Sequence, residues 1–230
     1  MIKAILFDFN GVIIDDEPIQ MRAYQTILAE AGVALTEADY MASLGMDDET
    51  FVRAAYERVG QTVEPGKVAE ISQAKTLKWR DEIAGHVPLF PHVENFIRKA
   101  ANEFSLGIVS MAKYEEIEHI LERVDLLNCF SVIVSAEDVK LPKPDPQCYR
   151  EGFRQLDLAR IAEGHLPMIH SECVVIEDTP PGIAAAVNAD LPALGVTNTV
   201  PADELRRAGA TWIAADLNDW FPESIRRAFA

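Results

Sequence analysis

"ILFDFNGVII", residues 5–14, opens as an apolar run and then sets down a carboxylate, an amide and a glycine in quick succession. A short apolar run closed by an Asn-Gly turn signal reads as a strand buried on both faces. Asp8 stands where that strand leaves the core, and a carboxylate there is costly to desolvate unless a partner or a ligand answers it. Asn10, two residues on, carries an amide, which cannot shuttle a proton as an acid can.

Four more runs of the same kind follow: "FSLGIVS" (104–110), "FSVIVSA" (130–136), "CVVIED" (173–178) and "LPALGVT" (191–197). Helical patterns separate them, at "YEEIEHILERV" (114–124), "PQCYREGFRQL" (146–156), "PPGIAAAVNA" (180–189) and "ADELRRAGA" (202–210). Strand and helix in alternation imply right-handed crossovers and a parallel sheet covered on both faces. The fold class expected is α/β, a doubly wound, Rossmann-like core. In such sheets ligands gather at the carboxyl ends of the strands, so the polar residues there are the ones to weigh.

Between the first two runs lies a long stretch with no strand signal. "DDEPIQMRAYQTILAEAG" (15–32) offers Asp16 as a helix N-cap, Pro18 in the first turn, apolar Tyr24, Ile27, Leu28 and Ala31 at helical spacing, and Gly32 as a stop. "ETFVRAAYERVG" (49–60) repeats the pattern with Phe51, Val52, Ala55, Tyr56 and Val59, and a third helix is expected over Val68 to Ile83. A block of this size is too large for a crossover and too apolar for a loop. It reads as a helical cap subdomain, residues 16–86, inserted into a core made of residues 1–15 and 87–230. "HVPLFPHV" (86–93), stiffened by two prolines, is the expected return hinge. A lid beside the strand ends can exclude water from chemistry there.

The chain has 230 residues and a formal net charge of -16, which argues against a nucleic-acid-binding surface. No apolar run reaches membrane-spanning length, and the N-terminus lacks a signal-peptide pattern, so no membrane partner is expected. Cys129, Cys148 and Cys173 are odd in number and widely spaced, as reduced cysteines of a cytoplasmic protein would be. The oligomeric state is left open.

The strand ends carry a chemically pointed set. Asp8, Glu177, Asp178 and a backbone carbonyl suit a hard, oxygen-ligated cation such as Mg²⁺. Ser110 and Lys143 suit phosphate oxygens, and an aspartate beside a metal and a lysine can act as a covalent nucleophile. Lys143 lies in "LPKPDP" (141–146), where Pro142, Pro144 and Pro146 keep it in a stiff loop. Blander roles compete: a strand-end hydroxyl for Ser110, a solvated charge for Lys143, an N-cap pair ahead of Pro180 for Glu177 and Asp178. His165, His170 and Cys173 are read as incidental neighbours, not as a zinc site.

In this order, "FDFNGVIID", "IVS", "LPKPDP" and "VVIEDTPPGI", with a helical insertion straight after the first, resemble the haloacid dehalogenase superfamily, in particular its β-phosphoglucomutase-like phosphatases. The resemblance spans nearly the whole chain. It implies that Asp8 is the nucleophile that becomes an aspartyl phosphate. Mg²⁺ would be bound by Asp8, the main-chain carbonyl of Asn10 and Asp178, with Glu177 helping through water, and the phosphate by Ser110 and Lys143. Gln20 and Met46 stand in the cap neighbourhood that meets the substrate, a small phosphorylated metabolite. The family pattern has a second aspartate where this chain has Asn10, the acid that protonates the leaving group and activates water. The mutase relatives carry a histidine where Gln20 stands, and an arginine for a second phosphate just beyond "LGMDD", where this chain has none before Arg53. Hydrolysis of a phosphate ester is therefore expected ahead of a mutase reaction. A catalytically silent phospholigand-binding protein is the alternative from another class, and a dehalogenase is disfavoured because Glu177 and Asp178 are both present.

Overall fold

Residues Ala4–Phe7 form β1, and all four of its side chains are buried. The computed structural model describes residues 1–218 and 220–230. After β1 come four helices, α1 (Glu17–Glu30), α2 (Glu37–Met41), α3 (Asp48–Arg58) and α4 (Pro65–Glu82), followed by α5 (Val93–Ala101). The alternation then runs β2 (Ser105–Val109), α6 (Tyr114–Arg123), β3 (Val132–Val134), α7 (Gln147–Ala162), β4 (Cys173–Glu177), α8 (Pro180–Asn188), β5 (Ala193–Val196), α9 (Ala202–Ala208), β6 (Trp212–Ala214) and α10 (Pro222–Ala228).

The strands form one sheet in the order β3-β2-β1-β4-β5-β6, every pairing parallel. The chain builds outward from β1 through β2 to β3, then crosses back to lay β4 on the other side of β1. That reversal opens a crevice at the carboxyl ends of β1 and β4, the place where doubly wound sheets bind ligands. Asp8 follows β1 and Asp178 follows β4, so the two acids flank the crevice.

Period-two alternation assigns the strand residues to two cores. Ile5 and Phe7 face Phe96, Ile97, Ile117 and Ile120 of α5 and α6, together with Ile225 of α10. Ala4 and Leu6 face Tyr149 and Leu156 of α7, Ile183 of α8 and Leu205 of α9. Each large apolar side chain so buried contributes about 1.5–3 kcal/mol, which is why the strands read as unbroken apolar runs.

The helical stretch has an apolar cluster of its own: Tyr24, Leu28, Tyr40, Phe51, Val52, Tyr56, Val68 and Ile71. Trp79 and Ile83, by contrast, join the core on the β1 face. The outgoing and returning backbones are hydrogen-bonded side by side, Asp15 N–H to Pro88 O at 2.7 Å and Phe90 N–H to Ile13 O at 3.1 Å. The "HVPLFPHV" stretch is thus one half of a paired connection.

Several sequence expectations need amending. β6 is missing from them because its apolar run is only a few residues long, with Trp212 half-exposed. Helix α1 begins at Glu17 as expected, but the Asp16 side chain makes no capping hydrogen bond. The N-cap of α8 is Thr179, whose hydroxyl accepts from Gly182 N–H, and not the Glu177–Asp178 pair. No helix among the described residues is long and apolar enough to cross a membrane. His170 stacks on Phe153, with ring centroids 4.4 Å apart.

Candidate active site

Where β1 ends, Asp8 N–H still donates to Ile176 O, so the carboxylate is held at the last rung of the sheet. Asp8 Oδ1 lies 3.0 Å from Lys143 Nζ. The "LPKPDP" loop delivers that lysine into the crevice, where its side chain is only 2% exposed. The surface-charge reading of Lys143 therefore fails. Its Nζ also lies 2.6 Å from Glu177 Oε1, and the charges of Asp8 and Glu177 outweigh burial in raising the ammonium's pKa.

Glu177 is a fully engaged carboxylate. Oε1 accepts from Lys143 and from the Tyr149 hydroxyl at 3.1 Å; Oε2 accepts from Asp178 N–H, Thr179 N–H and the Thr179 hydroxyl, at 2.9, 3.0 and 3.0 Å. Burial pushes its pKa up, but Lys143 and these donors hold it below the usual carboxylate range. The tightness of this arrangement demands Gly182, because a Cβ there would stand 1.7 Å from Glu177 Oε1.

Asp178 is in the opposite condition. Oδ2 accepts from the Thr199 hydroxyl, while Oδ1 is buried and receives no hydrogen bond. Burial, then the charges of Glu177 and Asp8, raise its pKa well above the usual range. Burial likewise lifts Asp8 to about 7 against the pull of Lys143. Gly11, at φ +75, makes the approach feasible: a Cβ there would lie 1.9 Å from Asp178 Oδ2. Carboxylate oxygens of Asp8, Glu177 and Asp178 fall within 4.8 Å of one another, with one lysine among them. An all-oxygen, electron-rich set with an unanswered buried oxygen fits a hard dication such as Mg²⁺.

The cavity over these residues, about 100 Å³, brings together Asp8, Asn10, Gln20, Met46, Ser110 and Lys143. Every residue expected to meet substrate lines it, and Glu177 and Asp178 lie beneath. Ser110, at the end of β2, hydrogen-bonds through its backbone to Val134 O, and its Oγ accepts from Ala112 N–H at 3.1 Å. The Asn10 amide is held by Asp16: Nδ2 donates to both of its oxygens, at 2.9 and 3.1 Å. Asp16 is completely buried and also accepts from Gln20 Nε2 at 3.0 Å and Trp79 Nε1 at 2.7 Å. Burial raises it to about 6 despite those three donors.

Sequence reasoning passed over most of the cap side of the cavity. Glu17, Tyr24, Tyr40, Asp48 and Lys75 line it, with Glu116 of α6. Glu17 accepts from the Tyr40 hydroxyl, and burial followed by the charge of Asp16 lifts its carboxyl to about 7. Lys75 Nζ sits 3.1 Å from Asp48 and 3.0 Å from Glu116. Arg53, the first arginine beyond "LGMDD", pairs with Glu49 at 2.8 Å, and Arg58 donates to Ser43 Oγ at 2.6 Å. Neither arginine lines the cavity. On this side the sequence had marked Gln20 and Met46, and the acidic run 47–49 is a poor setting for a second phosphate.

Known proteins similar to this chain include two phosphatases and a phosphoglucomutase. Hexitol phosphatase B of Escherichia coli is 27% identical over 208 residues, covering 88% of this chain and 85% of that protein. A phosphorylated carbohydrates phosphatase of Thermotoga maritima is 24% identical over 191 residues, covering 82% of each. The crystal structure of a β-phosphoglucomutase from Clostridium difficile superposes with a TM-score of 0.85 at 20% identity, covering 100% of this chain and 97% of that one. A family model described as haloacid dehalogenase-like hydrolase matches residues 5–196, and the chain belongs to that family.

Proposed function

We propose that this protein is a Mg²⁺-dependent phosphatase of a small phosphorylated metabolite, working in the cytoplasm through Asp8. The observation that carries the reading is the pairing of Asp8 with buried Lys143, 3.0 Å apart, on the floor of a cavity beside the unanswered Asp178 Oδ1. In this reading residues 16–86 are the cap over a core of residues 1–15 and 87–230. Ser110 and Lys143 hold the phosphate, and Asp8 attacks phosphorus as the ester oxygen leaves. Water then cleaves the aspartyl phosphate and returns the carboxylate. Asp8, Asp178 and the Asn10 carbonyl would hold Mg²⁺, with Glu177 fixing Lys143 behind them. When bound, Mg²⁺ neutralises charge on the phosphoryl oxygens. The names of the relatives, both phosphatases, support the reaction class.

Release of phosphate from p-nitrophenyl phosphate tests the proposal. Turnover is expected with Mg²⁺, lost with EDTA, and reduced to background by Asp8→Asn, which keeps the shape of the side chain. Turnover indifferent to EDTA, or surviving in Asp8→Asn, would sink it. Asn10 favours one second reading, since its amide is committed to Asp16 and carries no acid to the leaving group. Tight binding of phosphate esters without turnover would establish that reading, a phospholigand-binding protein.

A further inference from the structure

Helix α1 contributes two hydrogen-bond acceptors to the cavity lining, Glu17 and Gln20. Gln20 is 7% exposed, and its Nε2 is fixed on the Asp16 carboxylate, which can only accept. Its Oε1 is therefore the atom left over, and it is buried without any hydrogen-bond partner in a side chain that lines the cavity. Glu17 lies three residues earlier on α1, so the two side chains share a helix face with Cβ atoms about 5–6 Å apart. Among the described residues Glu17 has no ion-pair partner; its one answered oxygen takes the Tyr40 hydroxyl. Lys75, which among the described residues is the lining cation besides Lys143, is already held between Asp48 and Glu116, with Lys113 reinforcing Asp48 at 3.3 Å.

Glu17 is thus the carboxyl of the cavity wall without a cation partner, and Gln20 Oε1 its unanswered acceptor. A second phosphate or a carboxylate placed there would meet like charge. A hydroxyl could satisfy Gln20 but would leave Glu17 without a cation partner. A protonated amine has three donors, no acceptor and the right charge. We propose, building on the phosphatase reading, that the substrate is an amine-bearing phosphate monoester whose ammonium group is bound between Glu17 and Gln20 Oε1 while its phosphate sits at Ser110 and Lys143.

Titration calorimetry of the full chain carrying Asp8→Asn, which blocks turnover, with Mg²⁺ near neutral pH provides the test. The probes are aminoethyl, aminopropyl and aminobutyl phosphate, each paired with its hydroxyalkyl counterpart, and inorganic phosphate alone. The amine of the best-fitting length should bind about tenfold more tightly than its hydroxyl partner, roughly 1.4 kcal/mol. That ratio should fall towards one in Glu17→Gln, and it should also drop in Gln20→Leu, which keeps a side chain of similar bulk but removes the acceptor. Equal affinities within every pair, with inorganic phosphate still bound, would overturn the amine assignment and leave the phosphatase reading standing. A preference that survives both substitutions would also overturn it. Absence of binding by inorganic phosphate and every ester would overturn the two together.

Discussion

Asn10 and Asp16 exchange two hydrogen bonds that decide what an acid at position 10 would do. Asn10 Nδ2 donates to both Asp16 oxygens. Asn10→Asp replaces that donor with a carboxylate at about 3 Å from another, and two such groups cannot both ionise. The single substitution should therefore destabilise the fold and raise hydrolysis of alkyl phosphates only weakly. The pair Asn10→Asp with Asp16→Asn restores one donor and one acceptor, merely exchanged. It should recover the lost stability and raise alkyl-phosphate turnover at least tenfold, since general acid–base catalysis contributes about 10²–10⁴-fold. Thermal melts and kcat on an alkyl phosphate check this; a single variant as fast and as stable as the double one would refute it. The sequence made Asn10 conspicuous, as an amide where the family has an acid. It did not give the hydrogen bonds that fix Asp16, because one of its donors, Trp79, arrives from 63 residues away.

The contact between α4 and α6 is where the helical insertion grips the sheet domain. Lys75 and Thr76 of α4 both reach Glu116 Oε1 of α6, at 3.0 and 2.6 Å, and Lys75 and Glu116 are almost wholly buried. Arg80 adds an exposed pair with Glu115 at 3.2 Å, which contributes little. Breaking a buried pair from one side leaves a charge without a partner, at a cost of about 3–5 kcal/mol. Lys75→Met should therefore lower stability by about that amount in urea unfolding. Lys75→Met with Glu116→Gln should recover more than half, because Asp48 keeps Lys113 and Glu116 no longer brings a charge. No recovery in the double variant would mean the ammonium acts through packing alone. The α4 helix was legible from its apolar spacing and α6 from its own. Their meeting was not, because nothing in either helical pattern marks Lys75 or Glu116 as facing inward, 41 residues apart.

At the scale of the whole molecule, the parallel sheet and the strand-end site were legible because β1, β2, β4 and β5 are buried on both faces and end in polar residues. The charge balance over that site was not legible, since it depends on which acids share the crevice. Burial raises Asp8 and Glu17 to about 7 and Asp16 to about 6, and lifts Asp178 well above its usual range. A carboxyl whose pKa is higher folded than unfolded holds more protons in the folded state. Its contribution is thus most favourable below about pH 4 and is lost as pH rises through the folded value. Without metal, stability should fall between about pH 4 and 7 on account of these four groups. Asp48 runs the other way, since Lys75 and Lys113 outweigh its burial and hold it at about 2, but its window closes near pH 4. Mg²⁺ should reverse the trend at Asp8 and Asp178, because ligands must be deprotonated and a bound cation stabilises only the folded state. At 100 times its dissociation constant, Mg²⁺ would add about 2.7 kcal/mol, or roughly 5–10 °C in Tm for a chain of this size. At about pH 5.5 the cation must first displace the Asp8 proton, so the same Mg²⁺ concentration should give a much smaller shift. Melts with EDTA and with Mg²⁺, at about pH 5.5 and about pH 7.5, decide the matter. If the metal-free protein is at least as stable at the higher pH, burial does not raise these four carboxyls; if the Mg²⁺ shift is the same at both, Asp8 and Asp178 are not the cation's ligands.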